Sequence, residues 1–516
     1  MKAHYRSIDI NIQAIFPFDI IGSNELKLPV FSNIYKKIMK IIHWLINRWR
    51  CENGYRDILA VAIPLILSTS AWAVQHFVDR MFLTWYSPET IAAAMPAGML
   101  NFTIMSLFIG TASYAGTFVA QYYGAGIYKK IGPSVWQGVY IALAGGIIHL
   151  LLIPLARPVF ALIGHDPLVQ TNEIIYFQVL CLGAAPGIAS SAMAGFFSGR
   201  GKTWPIMWIN FSATFVNLIL DYALIFGNWG FPELGMKGAA IATVISGFFA
   251  FSVYLILFCK RSYNEKYHTL KGFRINTKLF KRLMHFGLPN GIQFSLDMVG
   301  FSIFILLAGR LGTIDLAATN IAFNINTLAF MPMIGIGIAV SILVGQSLGK
   351  NRPDLAQRST YSGFHLTIIY TVIIAFFYMA TPDIFLKPFA AQAHTETFEL
   401  IRQIARVLLR FVAVYAIFDT LNIIFASAIK GAGDTRFVLK MIIILSLFLL
   451  VIPAYIALVI FNKGVYIAWA IFSFYVIALG FAFLFRFLQG KWKSMRVIEE
   501  VIPVIPPMMS ETPSME

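Results

Sequence analysis

Residues 58–85 read ILAVAIPLILSTSAWAVQHFVDRMFLTW, a run with no Asp, Glu, Lys or Arg before Asp79. About 20 apolar residues carry a helix across the hydrocarbon of a bilayer, so this stretch reads as a transmembrane span. Eleven further runs of the same kind follow, near 91–123, 134–155, 172–198, 204–226, 236–259, 283–309, 314–347, 359–385, 401–429, 436–461 and 464–488. The whole chain shares that character. Of its 516 residues 58% are hydrophobic and 12% charged, with a mean hydropathy of +0.73, whereas soluble domains carry about 25% charged residues. A string of water-soluble domains is excluded, and so is an outer-membrane barrel, whose apolar segments alternate over about ten residues. The expected fold class is an all-α polytopic membrane protein.

A net charge of +16 would suit nucleic acid, but the basic residues lie between the apolar runs and form no basic domain. The expected partner surface is therefore the lipid bilayer, with no nucleic acid. With the N-terminus cytoplasmic, 31 of the 40 lysines and arginines fall on the cytoplasmic side, and the positive-inside rule then puts both termini there. Asp9 and Asp19 interrupt the first apolar stretch, so no secretory signal is expected; this fits a bacterial cytoplasmic (inner) membrane. Residues 34–50, IYKKIMKIIHWLINRWR, mix basic and apolar residues as an interfacial amphipathic helix does. Cys51, Cys181 and Cys259 are too few and too scattered for a disulfide framework or a metal site and read as packing residues.

The chain repeats itself. Shifted by 225 positions, residues 64–124 align with 289–349 without a gap and give 12 identities in 61 positions, including Pro64/Pro289, Asn101/Asn326, Gly110/Gly335, Gln121/Gln346 and Gly124/Gly349. A shift of 232 brings Gly199–Thr203 onto Gly431–Thr435. The expected organisation is an N-terminal extension (1–55), a six-helix lobe (56–260), a cytoplasmic linker (261–282), a second six-helix lobe (283–490) and a disordered tail (491–516). Six is even, so the halves run parallel about an axis along the membrane normal. Repeats of this kind enclose a central cavity that rocks between two openings, which favours a transporter over a receptor or an enzyme.

An ionisable group in hydrocarbon costs at least about 2.5–3.5 kcal/mol, so the intramembrane acids Asp79, Asp221, Asp297 and Asp419 need a reason. Ser68, Trp72, Gln75 and Asp79 share one helical stripe of the first span. Asn217 and Asp221 share a face of the fifth span, and Thr243 lies on the sixth. Asp79, Asp221 and Thr243 then lie roughly 8–10 Å deep at 1.5 Å per residue. All are oxygen donors, suited to a hard cation such as sodium, and two neighbouring carboxylates could equally share a proton. In the other half Asn290, Gln293 and Asp297 form a stripe on the seventh span, Asn320, Asn324 and Thr327 on the eighth, and Tyr415, Asp419 and Asn422 on the tenth. These read as the lining of a substrate cavity or a second cation site, against the alternative of hydrogen bonds that only pack helices. No cofactor is expected beyond the coupling ion. Gly199–Thr203 resembles the end of a phosphate-binding loop, but Phe196 stands in place of its first glycine.

From about Arg56 to Arg496 the chain resembles the multidrug and toxic compound extrusion (MATE) transporters, within a flippase-like superfamily. The resemblance is carried by Pro64 with Val78-Asp79, Gln121 with Gly124, Asn217-Leu218-Ile219-Leu220-Asp221, Gly238–Thr243, and Phe418-Asp419 followed by Lys430–Thr435. It implies a monomeric, non-enzymatic antiporter that exports amphipathic, often cationic compounds in exchange for sodium or protons. It also implies a coupling-ion site at Asp79, Asn217, Asp221 and Thr243 with the Ala239 carbonyl. Two departures stand out: Asp297 where many members have Glu, and Arg80 directly after Asp79. Adjacent helical residues point about 100° apart, so Arg80 is free to snorkel outward. The alternative is a flippase for a lipid-linked saccharide or another metabolite, whose anionic cargo would favour cationic residues where this sequence places aspartates. A channel would conduct without counter-ion dependence.

Overall fold

A computed structural model describes residues 39–40, 43–390 and 395–499; the expected disorder after Val501 and parts of the 34–50 segment lie outside them. The chain up to Cys51 forms one unit and the chain from Glu52 another. In the first, residues 43–50 are helical, with Trp44, Leu45 and Trp49 exposed.

Among the described residues of the second, eleven helices are long and apolar enough to cross a bilayer, and a bent pair makes a twelfth span. We number them α1 (Tyr55–Tyr86), α2 (Pro88–Gly124), α3 (Tyr128–Leu152), α4 (Pro167–Leu182 with Ala184–Ser198), α5 (Trp204–Phe226), α6 (Met236–Phe258), α7 (Thr277–Gly309), α8 (Thr313–Gly349), α9 (Pro353–Ala380), α10 (Thr395–Ala432), α11 (Thr435–Ile460) and α12 (Val465–Leu488). Among the described residues no strand occurs. With no water in the hydrocarbon, each backbone polar group must be satisfied within its own helix, and local chemistry marks where the helices start. Ser87, Asp166 and Asn276 accept hydrogen bonds from Thr90, Leu168 and Leu279 backbone N–H groups at the starts of α2, α4 and α7, and Pro88 and Pro167 occupy first-turn positions whose N–H would be idle. The halves of α4 meet at 46° across Gly183. In α11, wider π turns flank Pro453, whose missing N–H breaks the regular ladder.

The two repeats meet reciprocally. Gln121 Nε2 donates to the Gly431 carbonyl at 3.1 Å, and its repeat-mate Gln346 donates to the Gly199 carbonyl at 2.8 Å. A Cβ on Gly124 would strike the Gln346 carbonyl, and one on Gly349 the Gln121 carbonyl. Higher up, Gly110 lies against Gly291 and Gly335 against Ile66, again repeat-mates. This exchange of equivalent contacts is what an axis along the membrane normal requires of parallel halves. Among the described residues, side-chain hydrogen bonds between the lobes run from the end where α1 begins and α12 finishes only as far as Asn290 to Gly110 (2.8 Å) and Ser295 to Thr103 (3.1 Å). Thr103 and Ser295 are near mid-span, so the lobes are joined at one end and unlinked by such bonds at the other.

Residues 491–499 differ from the disorder expected of them. Trp492 is buried and stacks on Phe487, and the Val497 N–H donates to Gln121 Oε1 at 2.8 Å. Glu499 then receives Tyr122 Oη at 2.8 Å, Lys130 Nζ at 3.2 Å and Arg282 Nη1 at 3.0 Å. A buried indole and a triply contacted carboxylate give this strap enough to offset its ordering entropy. Partial burial opposes the charge, but the backbone N–H of Glu499, the Tyr122 hydroxyl and Lys130 hold its carboxyl below the ordinary value.

Gly124→Val should cost about 1–3 kcal/mol through forced overlap with the Gln346 backbone, read as a lowered thermal midpoint in detergent, whereas Gly247→Ala, with open space around it, should not. The stabilisation from Glu499 is present above about pH 4.3, the ordinary glutamate value, and is lost as pH falls through the lowered folded value. Glu499→Gln should therefore lower the midpoint at neutral pH by an amount that shrinks below that range; a pH-independent deficit would mean that the charge does not hold the strap.

Candidate functional site

Each lobe encloses a polar cluster. In the first, α1 and α5 bring Asp79, Gln75, Thr214, Asn217 and Asp221 together. Asp79 is buried, and Asn217 and Asp221 are fully so. The two carboxyls lie close enough to act on one another. Asn217 sits between them; in the orientation that satisfies its amide, the nitrogen lies 3.0 Å from Asp79 Oδ1 and 3.3 Å from Asp221 Oδ2. Thr214 Oγ1 donates to Gln75 Oε1 at 3.3 Å. Below this group Asn210 Nδ2 donates to Ser68 Oγ at 2.6 Å and Tyr254 Oη to Asn210 Oδ1 at 3.3 Å. Asp221 Oδ1 is buried with no partner, and leaving such an atom unpaired costs several kcal/mol unless something visits it.

The expected stripe on α1 holds for Ser68, Gln75 and Asp79, but Trp72 is exposed and packs on His76 and Phe102. Thr243 makes no side-chain hydrogen bond to the acids among the described residues; its carbonyl accepts from Ser246 Oγ at 2.9 Å. Ala239 lies in an apolar cluster with Leu83, Ala93 and Ile225. Arg80 is exposed and, among the described residues, forms no ion pair with Asp79. Tyr176 of α4, absent from the expected set, is within electrostatic reach of both acids; it lies on a helix whose acids are confined to its outer turns, so no stripe pointed to it.

In the second lobe Gln293 Nε2 donates to Asp297 Oδ2 at 3.0 Å, and Asn422 Nδ2 to Asp419 Oδ1 at 2.8 Å. Asp297 and Asp419 act on one another electrostatically. Tyr415 is buried against Trp469 and Phe472 with its hydroxyl unpartnered. Asn290 instead ties α7 to Gly110 of the other lobe, a packing bond. Asn324 donates to the Asn320 carbonyl and Thr327 to the Phe323 carbonyl, bonds along their own helix that do not join the acids. Lys430, also absent from the expected set, donates to Gln293 Oε1 at 3.3 Å. Among the described residues no group of three His, Cys, Asp or Glu side chains could hold a metal ion, so any sodium here would be held largely by neutral oxygens.

Two parallel six-span repeats, each with acids buried among apolar helices, are the build of a membrane transporter. The MatE family model matches residues 64–223 and 289–456. The chain therefore belongs to the MATE family of transporters. Two relatives are each described as a probable multidrug resistance protein NorM. That of Thermotoga maritima is 24% identical over 451 residues, covering 86% of this chain and 94% of the relative. That of Bradyrhizobium diazoefficiens is 29% identical over 394 residues, covering 74% and 82%. Among solved structures, a MOP superfamily transporter from Pyrococcus furiosus, described as having a binding pocket of reverse polarity, superposes with a TM-score of 0.77 at 20% identity over 87% of this chain and 99% of that one. An outward-facing multidrug resistance MATE transporter gives 0.77 at 18% identity over 87% and 98%.

Proposed function

We propose that this protein is a secondary active antiporter that exports amphipathic, often cationic compounds in exchange for protons by alternating access. The observation that carries the reading is the pairing of Asp79 and Asp221 across Asn217 in the buried interior of the first lobe, with Asp221 Oδ1 unpartnered among the described residues. Two carboxyls paired away from water need a proton or a cation between them. A sodium ion would want further oxygen donors around the pair, but among the described residues Thr243 makes no side-chain hydrogen bond to the acids and Ala239 lies in an apolar cluster. That arrangement supports the proton. The NorM relatives support drugs as cargo, and their bacterial origin together with the basic loops supports a cytoplasmic membrane with both termini inside.

In that orientation the joined end faces the cytoplasm and the unlinked end faces outward. A proton from outside reaches Asp79 and Asp221, α1 and α5 repack, and cargo leaves from the Asp297/Asp419 cluster. Inward opening then breaks the Gln121 and Gln346 bonds, releases the proton and admits new cargo. Only a difference in affinity between the two openings is needed. One proton entering for one monovalent cation leaving moves no net charge, so the membrane potential, worth about 2.3 kcal/mol per charge per 100 mV, contributes nothing.

Asp79→Asn and Asp221→Asn should each abolish coupled efflux in cells while the protein remains folded and membrane-inserted; tolerance to toxic cations at wild-type abundance in both variants would remove the site assignment. In proteoliposomes an imposed proton gradient should drive efflux of a monovalent cation without electrical current, and a sodium gradient should not. Efflux that follows sodium alone would replace the proton as the coupling ion.

A further inference from the structure

Lys430 has no task in that cycle, yet it is the one cation tied into the second lobe's acid cluster among the described residues. Its side chain is half-buried near the inner end of α10 and turns back into its own lobe. Nζ donates to Gln293 Oε1 at 3.3 Å, and the nitrogen of the same amide donates to Asp297 Oδ2 at 3.0 Å. Gln293 thus bridges an ammonium and a carboxylate, each end of its amide facing the charge that suits it. Lys430 acts electrostatically on Asp297, and Asp297 in turn on Asp419. Two acids and one ammonium give the cluster a formal charge of −1. The Lys430 carbonyl faces the other way and accepts the Tyr114 hydroxyl across the lobes at 2.7 Å.

We propose that Lys430 sets the charge of the cargo that the second lobe accepts, by neutralising one of its two acids so that the site balances a monovalent cation and leaves the second charge of a dication unpaired. The assignment rests on the export reading above, in which Asp297 and Asp419 receive cargo. The physical basis is the cost of an uncompensated charge in a low-dielectric site. A binding site discriminates as effectively by leaving the wrong ligand unpaired as by adding contacts to the right one. Without Lys430 the cluster would carry −2, and the balance would tip toward dications. An arginine would keep the count.

The test compares two planar dyes of one ring system, the monocation ethidium and the dication propidium, binding to the purified full-length protein in detergent, with fluorescence giving each Kd. Wild type should prefer ethidium. Lys430→Gln should move the Kd ratio toward propidium about tenfold, the factor that one unit charge gives over about 12 Å at an effective dielectric of about 20. Lys430→Arg should leave the ratio in place, and Lys430→Gln combined with Asp419→Asn, which restores −1, should return it. Should Lys430→Gln fail to fold, Asp419→Asn alone, with a cluster charge of zero, should move the ratio further toward ethidium. Tyr114→Phe removes the hydroxyl on the Lys430 carbonyl without changing charge and should not move the ratio. An unchanged ratio in a folded Lys430→Gln, or an equal shift in Tyr114→Phe, overturns the assignment. If the ratio shifts as expected but wild-type proteoliposomes export neither dye, the export reading falls and the charge assignment stands; efflux with an unmoved ratio has the opposite meaning.

Discussion

Two glutamine side chains hold the lobes together at the end where α1 begins and α12 finishes. Gln121 and Gln346 reach across the seam in opposite directions, each onto the carbonyl of a glycine in the other half. Each sits where the neighbouring backbone approaches so closely that only Gly349 or Gly124 fits beside it. A neutral hydrogen bond contributes only about 0.5–1.5 kcal/mol net, which makes the seam strong enough to define one state and weak enough to be undone. Everything above it, the polar clusters and the unlinked ends of α1 and α7, is arranged relative to that closed end.

The helix that carries Asp79 also packs against the opposite lobe, through Ile66 on Gly335. Thirteen residues of one helix therefore separate a buried acid from the seam between lobes, at about 1.5 Å of rise per residue. On the other side α10 plays a matching part: Asp419 lies within it, Lys430 near its inner end gives its carbonyl to Tyr114, and Gly431 gives its carbonyl to Gln121. In each lobe a single rigid element joins the charged interior to the interlobe contact, so a change in charge and a change in seam geometry are not independent.

Much of this was legible in the residues. Helical period alone put Asn217 over Asp221 and Gln75 over Asp79, and hydropathy put both pairs at one depth; the structure brings them into contact. The internal repeat named Gln121 and Gln346 before their reciprocal bonds were seen. Azimuth was not legible. Thr243 shares the depth of the acids but not their contacts, because a sequence gives a helix its own faces and not their bearing on a neighbour. Trp72 lies on the Asp79 stripe yet faces open space for the same reason, and Asn290 lies on the Asp297 helix but is drawn to a carbonyl of the other lobe. Lys430 is not expected in the site because the tenth apolar run ends at Ile429, whereas the helix continues to Ala432 and carries the lysine on a structured face. The tail from residue 491 is expected to be disordered, with its prolines gathered after Val501, and nothing local marks Trp492 as the residue that seats it.

The acceptors in the seam are main-chain carbonyls, and no point mutation can delete a carbonyl. Natural variation can thus rewrite most side chains at that level without unlatching the molecule, provided the two amides and their glycine neighbours persist. Side chains of the interior can change while these backbone acceptors between the lobes stay as they are.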